Sequence, residues 1–302
     1  MRGNSMSDVS DFLEKAPPRL KAGLAKREAV TTEVEQWCQG REIIRTKRIP
    51  PLVLNGIIML PENTIHEIAL IVELYLWIFA IDDASDEKWV SLDEFVTLKD
   101  KFLSIGQALG ARGHDDDPFE AALVSIVRGM VDAVPDYWER DLWTMHLERL
   151  MHGMAQEYRW ALDYPDKTPS FEALLAETRW SVGFPISAYS AIPLLRAKDS
   201  GEIARAVEAS GVAIRLCNDI KSMHREIDEG TINSVALWAA EKNVSTAVAR
   251  EYVLGRIAAA AQTAQAALTG QTPIPVRRMI LDTVHFSRVF YAETDYHLFE
   301  IY

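Results

Sequence analysis

Apolar residues recur at spacings of three and four along nearly the whole chain, and the polar interruptions between these runs are short. That period belongs to helices that bury one face, whereas the alternation of a half-buried strand is rare here. Good helix formers (Ala, Leu, Glu, Arg and Met) fill the runs. The pattern predicts helices near 19–46, 62–83, 92–109, 117–133, 136–162, 170–196, 200–227, 233–243, 246–269 and 273–299. Gly183 and Pro185 should break the helix at 170–196. Turn-forming residues mark loops at 110–118, 164–169, 228–231 and 270–275, and Ser170 and Ser200 stand where helix starts belong. With no linker, repeat or credible sheet, the expected fold class is all-α. A mobile or capping N-terminal arm is expected over residues 1–20, and a single helical-bundle domain over 21–302.

Composition narrows the class. Of 302 residues, 48% are hydrophobic, enough for a sizeable core. A net charge of −12 argues against a nucleic-acid protein, which should carry a basic face, and any bound polyanion would need local cations or metals. Two cysteines, Cys38 and Cys217, form no disulfide framework and fit a reducing cytosol; Cys217 lies in an apolar run and reads as a core thiol. Residues 1–15 contain no apolar run of a secretory signal. The apolar stretches 65–81 and 187–195 are interrupted by Glu67, Glu73 and Pro193, short of a membrane span. A soluble, cytoplasmic protein is expected.

Two helices end in polar groups that stability alone would not select. In the first, the run Leu74 to Ile81 leads into Asp82-Asp83-Ala84-Ser85-Asp86-Glu87. Asp82 and Asp86 are four apart and share a face, as do Asp83 and Glu87. Acids at a helix C-terminus oppose the macrodipole, so cations set against them would relieve the clash. Hard oxygen ligands suit Mg²⁺ or Mn²⁺. In the second, Asn218, Ser222 and Glu226 recur every four residues, placing an amide oxygen, a hydroxyl and a carboxylate on one stripe. Each segment alone also reads as an ordinary solvated helix face; the pair is far more specific.

Together these segments resemble the class I terpene synthases. Asp82-Asp83-Ala84-Ser85-Asp86 is similar to their aspartate-rich motif, and Asn218-Asp219-x-x-Ser222-x-x-x-Glu226 matches their second metal motif at each specified position. Gly230-Thr231-Ile232-Asn233-Ser234-Val235 resembles the loop that follows in bacterial members, and the likeness extends over roughly 30–300. The resemblance implies the helical fold with a central cavity. It also implies Asp82, Asp86, Asn218, Ser222 and Glu226 as ligands of three Mg²⁺ ions (Mn²⁺ able to substitute), with an isoprenoid diphosphate as substrate. Arg225 holds the place of a diphosphate-contacting cation. Arg179 resembles the family's diphosphate sensor, and Gly183 the position that breaks a helix and aims a carbonyl at the substrate. The linker between them is Val182, where an acid is frequent.

Ionisation of the allylic C–O bond would be followed by carbocation chemistry in an aromatic-lined, water-free cavity. Phe79, Trp77, Trp180, Phe184 and Tyr296 are the pocket candidates, with Tyr75, Trp160, Tyr189, Phe286, Phe290 and Tyr291 behind them. Many bacterial members end in an Arg-Tyr pair that closes over the diphosphate; here Asp295 precedes Tyr296, and Arg288 is a compensating candidate. His224, beside the stripe, is expected at the surface, and Asp115-Asp116-Asp117 reads as a helix cap. The Asp-x-Asp-Asp motif of protonation-initiated cyclisation does not occur.

The length, the lost Arg-Tyr pair and the wording of both motifs resemble labdane-related, kaurene-synthase-like diterpene synthases. This implies copalyl diphosphate, made by a separate class II diterpene cyclase, as substrate, a diterpene hydrocarbon as product, and a homodimer. Cyclisation of linear geranylgeranyl or farnesyl diphosphate is the alternative. Other readings are a trans-prenyl chain elongase, which the Asn218/Ser222/Glu226 set disfavours, and a helical scaffold without chemistry.

Overall fold

The computed structural model describes residues 8–111, 113, 116–229 and 231–296, and all regular structure among them is helical. Fourteen α-helices follow in chain order: α1 (Asp8–Glu14), α2 (Pro18–Leu24), α3 (Arg27–Cys38), α4 (Ile49–Met59), α5 (Ile65–Asp86), α6 (Leu92–Gln107) and α7 (Pro118–Ala133), then α8 (Arg140–Asp163), α9 (Phe171–Ser181), α10 (Phe184–Leu194), α11 (Gly201–Glu229), α12 (Ser234–Lys242), α13 (Thr246–Ala267) and α14 (Ile274–Glu293). None is long and apolar enough to cross a membrane among the described residues.

Five of these helices and one broken pair close a ring. α4 packs on α5, α5 on α8, α8 on α9 and α10, these two on α11, α11 on α14, and α14 back on α4. From Ile68 to Ile81 α5 is apolar on every side apart from Glu73, which is the composition of a helix surrounded by others. Its start is held by a capping box in which the Thr64 hydroxyl accepts from the Glu67 amide and the Glu67 carboxylate accepts from the Thr64 amide. α6 and α7 buttress the ring beside α8 and α5, α12 and α13 lie against α9 and α11, and α1 to α3 cover α14, α4 and α5.

Departures from the sequence expectation have local causes. The expected helix 19–46 is split: α2 and α3 end by Cys38, and a separate helix, α4, runs through Ile49–Met59. Pro50 and Pro51 stand in its first turn, where prolines lack only donors that a helix start leaves unused. α5 continues past 83 to Asp86, so both acids of the pair are helical. The break at 170–196 falls at Gly183, whose φ of +78° is a left-handed conformation open to glycine without strain. Ser170 caps α9 by accepting from the Ala173 amide, and Asp117 caps α7 by accepting from Phe119 and Glu120. Within the N-terminal arm, α1 lies on α14: Phe12 packs against His285 and Phe286, and the Val9 amide donates to Glu293. Residues 1–7, Asp115, Gly230 and the end of the last expected helix at 297–299 lie outside the described residues.

Candidate active site

The ring encloses a cavity of about 630 Å³, taken as the space open to the centre of a water molecule. Its mouth is polar. Asp82 and Asp86 enter from the C-terminal end of α5, and Asn218, Arg225 and Glu226 enter from α11. Below the mouth the walls are Tyr75, Ile78 and Phe79 of α5, Trp160 of α8, Phe184 of α10 and Tyr291 of α14, with Tyr296 following it. The two sequence segments, far apart in the chain, therefore face one another across one opening. Tyr296 packs against Phe79, Phe290 and Tyr291, with ring centroids 5.5, 4.6 and 5.8 Å away, and forms an aromatic wall under the mouth.

Negative charge is crowded at this mouth. Burial holds the Asp82 carboxyl well above the usual carboxylate range, with Asp86, Glu157 and Asp83 adding repulsion. Burial, then Glu157 and Asp83, push Asp86 up to about 6, while Arg215 and Arg225 oppose the rise. Burial and Asp219 push Glu226 up to about 7. Among the described residues no three acidic, histidine or cysteine side chains converge into a ready cage. The donors instead sit on two facing walls, are hard oxygens, and suffer from unneutralised charge. That set fits Mg²⁺ or Mn²⁺, which keep several waters and are held by one or two carboxylates together with phosphate oxygens.

Neighbouring groups fix these donors. Ser222 lies 1% exposed behind the opening, its hydroxyl donating to the Asn218 carbonyl at 2.9 Å and adjoining Glu226. Asn233 donates to the Asp219 carbonyl and to Glu226 Oε2, both at 2.7 Å, while its own Oδ1 caps α12 by accepting from Val235. The loop after the second motif is thereby tied back to the motif. Asp83 does not share the role of Asp82: Arg48, 1% exposed, donates to both its oxygens at 2.6 and 2.8 Å, and Arg45 adds a contact at 3.2 Å. Arg215 bridges Glu157 at 2.6 Å and Asp219 at 2.8 Å, joining α8 to α11. Arg45, Arg48, Glu157 and Arg215 were not singled out in the sequence, and Asn233 only as part of the loop after the second motif. Only Asn233, an N-cap residue directly before an apolar run, carries a local signal; the others acquire partners from distant segments.

Several expected positions fall elsewhere. Trp77 is fully buried on the outer side of α5, its indole donating to the Phe119 carbonyl at 3.0 Å and its ring edge-on to Phe102, so it packs the ring to α6 and α7. Trp180 lies under Arg149 and Arg179 beside His146, away from the cavity. Arg179 reaches across to Glu208 of α11 at 3.1 Å rather than into the cavity. Gly183 stands between the lining residues Val182 and Phe184, and its carbonyl already accepts from the Ser187 amide at 3.2 Å and hydroxyl at 2.9 Å. Tyr189, Phe286 and Phe290 belong to the packed core, and Arg288 and His224 are exposed outside the lining. Cys38 and Cys217 are buried thiols, both pushed up to about 12 by burial.

This architecture is that of the terpene synthases. A family-wide sequence profile described as terpene synthase family 2, C-terminal metal binding, matches residues 73–263, and the chain belongs to that family. Among solved structures it superposes on 2-methylisoborneol synthase from Streptomyces coelicolor A3(2) in complex with Mg²⁺ and 2-fluoroneryl diphosphate, with a TM-score of 0.72 and 14% identity over 89% of this chain and 90% of that one. It also superposes on isoprene synthase from grey poplar leaves (Populus x canescens), in complex with three Mg²⁺ ions and dimethylallyl-S-thiolodiphosphate, with a TM-score of 0.71 and 17% identity over 88% of this chain and 54% of that one. Abietadiene synthase from Abies grandis gives a TM-score of 0.71 at 12% identity, covering 93% of this chain and 38% of the other. The chain thus spans about half the length of the poplar enzyme, and at these identities the likeness is one of fold. Among curated proteins none matches the chain.

Proposed function

We propose that the protein is a class I diterpene synthase that ionises copalyl diphosphate in a Mg²⁺-dependent reaction, releases diphosphate, and closes the resulting labdane-type cation to a diterpene hydrocarbon by deprotonation or further cyclisation. The observation that carries this reading is the facing of Asp82 and Asp86 against Asn218, Arg225 and Glu226 at the mouth of one aromatic-walled cavity. The twenty-carbon choice rests on the resemblance of the two motifs and of the Asp295-Tyr296 ending to labdane-related enzymes. The cavity lies within the ~300–1,000 Å³ span of small-molecule sites and accommodates either a bicyclic or a folded linear substrate.

In this mechanism Asp82 and Asp86 on one wall, and Asn218, Ser222 and Glu226 on the other, would hold the divalent ions. Such ions, when bound, neutralise a diphosphate and act as Lewis acids on its oxygens as the C–O bond breaks. Arg225 supplies a guanidinium at the same mouth, placed where the leaving group gains charge. Arg48 and Arg215 pair with the supporting acids, tying α5 to the segment before α4 and α11 to α8. Phe79, Tyr291 and Tyr296 line the space where the cation would form and exclude water from it. The carbon skeleton is delivered already bicyclic by a separate class II cyclase, and the working unit is a homodimer.

Incubation with copalyl, geranylgeranyl and farnesyl diphosphates in parallel with Mg²⁺, read by gas chromatography and mass spectrometry, tests the reading. Diterpene formation from copalyl diphosphate is expected. Turnover of only a linear substrate would refute the labdane assignment, a longer diphosphate would indicate an elongase, and no product from any substrate would refute synthase activity.

A further inference from the structure

Of the aromatic rings that line the cavity, Phe79 alone has a cation over it among the described residues. Arg48, at the end of the segment before α4, places its guanidinium carbon 4.6 Å from the centre of the Phe79 ring. Tyr75, Tyr158, Trp160, Phe184, Tyr291 and Tyr296 line the same space, and among the described residues no guanidinium or ammonium lies over them. Arg48 is 1% exposed and stands outside the lining, so it reaches the ring from within the protein. Phe79 and Asp83 are four apart on α5 and share a face, which lets one guanidinium serve both. Nη1 and Nη2 donate to the Asp83 carboxylate at 2.6 and 2.8 Å, and Nη1 also reaches the Phe79 carbonyl at 3.4 Å. Ring and cation are thereby fixed against each other.

A buried ion pair is often no more stable than apolar side chains of the same volume, so stability alone does not account for this one. The Phe79 ring attracts cations through one property, the negative face of its π-system, and the guanidinium already draws on it. Asp83 cancels the net charge of Arg48 but leaves the short-range contact with the ring in place. A second cation at this ring therefore gains less than it would at a lining ring that carries none.

We propose that Arg48 is a positioning residue that decides which wall of the cavity holds the carbocation: it engages the Phe79 ring, which is left to fill space and exclude water, and the positive charge settles against Tyr291 and Tyr296 instead. The ring centroids of Phe79 and Tyr296 are 5.5 Å apart, so the two walls compete for the same cation. Arg48 acts on product choice through Phe79, and touches neither the substrate nor the proposed metal donors. This inference rests on the ionisation reaction proposed above and adds which ring holds the charge that ionisation creates.

The test replaces Phe79 in the whole protein with phenylalanines carrying one, two and three ring fluorines, which weaken attraction of a cation to the ring stepwise while nearly keeping its shape. A second series puts the same residues in place of Tyr296. Single-turnover diphosphate release is followed together with the terpene products, using Mg²⁺ and whichever of copalyl, geranylgeranyl and farnesyl diphosphate is turned over. Across the Phe79 series the rate should change less than about twofold; across the Tyr296 series it should fall about tenfold, the span of one desolvated cation–π contact. In the double variant Arg48→Met with Asp83→Leu the Phe79 series should become steep and the product ratio should shift, because the ring is released. A role of the pair in stability alone would leave the Phe79 slope as it is in the wild type. Equal slopes at the two positions, or a double variant whose Phe79 slope stays flat, would overturn the proposal while leaving ionisation intact. No diphosphate release from any of the three substrates would overturn both. If that double variant does not fold, Arg48→Gln with Asp83→Asn, a neutral hydrogen-bonding pair, takes its place.

Discussion

Asp82 and Asp83 are adjacent in sequence and should behave oppositely when removed. Asp83 is the partner of a guanidinium that is only 1% exposed, held by two hydrogen bonds of 2.6 and 2.8 Å. Asp83→Ala removes the carboxylate that neutralises this charge, and breaking such a buried pair costs about 3–5 kcal/mol. With a urea slope near ~3 kcal/mol/M, the unfolding midpoint of the metal-free protein should fall by roughly 1–2 M. The double variant Arg48→Met with Asp83→Leu exchanges the pair for apolar volume and should recover most of the loss, since replacing both ions is often neutral. Asp82→Ala removes a carboxylate whose charge the fold disfavours, and should leave the metal-free midpoint unchanged or raised. Circular dichroism at 222 nm against urea, without divalent ions, measures all three. An Asp83→Ala midpoint equal to wild type, or a double variant no better than the single one, would refute a structural role for this pair.

Three further outcomes are expected. Asp82→Ala and Asn218→Ala should each abolish product formation in the mass-spectrometric assay while helicity stays intact; loss of fold in both would assign them to structure instead. Asn233→Ala should lower the melting temperature by several degrees and weaken activation by Mg²⁺, because one amide bridges the Asp219 carbonyl, Glu226 and the start of α12; unchanged Mg²⁺ titration would count against that bridge. Glu73, 4% exposed on α5, is pushed up to about 8 by burial and then by Glu33, so its contribution to stability is present below its ordinary 4.5 and lost as pH rises through 8. Glu73→Gln should therefore gain on the wild type by on the order of a few kcal/mol between pH 5 and pH 9, read by urea unfolding at each pH, and a constant difference would contradict the burial effect.

The helical period, the helix starts at Ser170 and Asp117 and the break at Gly183 were all legible in the chain, because each depends on residues within one or two turns. The two oxygen-bearing stripes proposed to hold metal were legible for the same reason, four-residue spacing being a local property of a helix. Pocket membership was not. Phe79 and Trp77 are two residues apart, yet one lines the cavity and the other packs outward against Phe102, since neighbouring positions on α5 face different helices. Arg179 is aimed by Glu208 on another helix, which no reading of its own segment could supply. Asn55 escaped notice because it lies in α4, a helix the sequence pattern did not predict, and it reaches the cavity wall only because α4 packs on α5. The sequence alone determined most of the helices and the two stripes of oxygen-bearing side chains, which short-range geometry sets. Only the tertiary structure decided which side chains face the cavity and which acid is structural, because those depend on helices brought together across hundreds of residues.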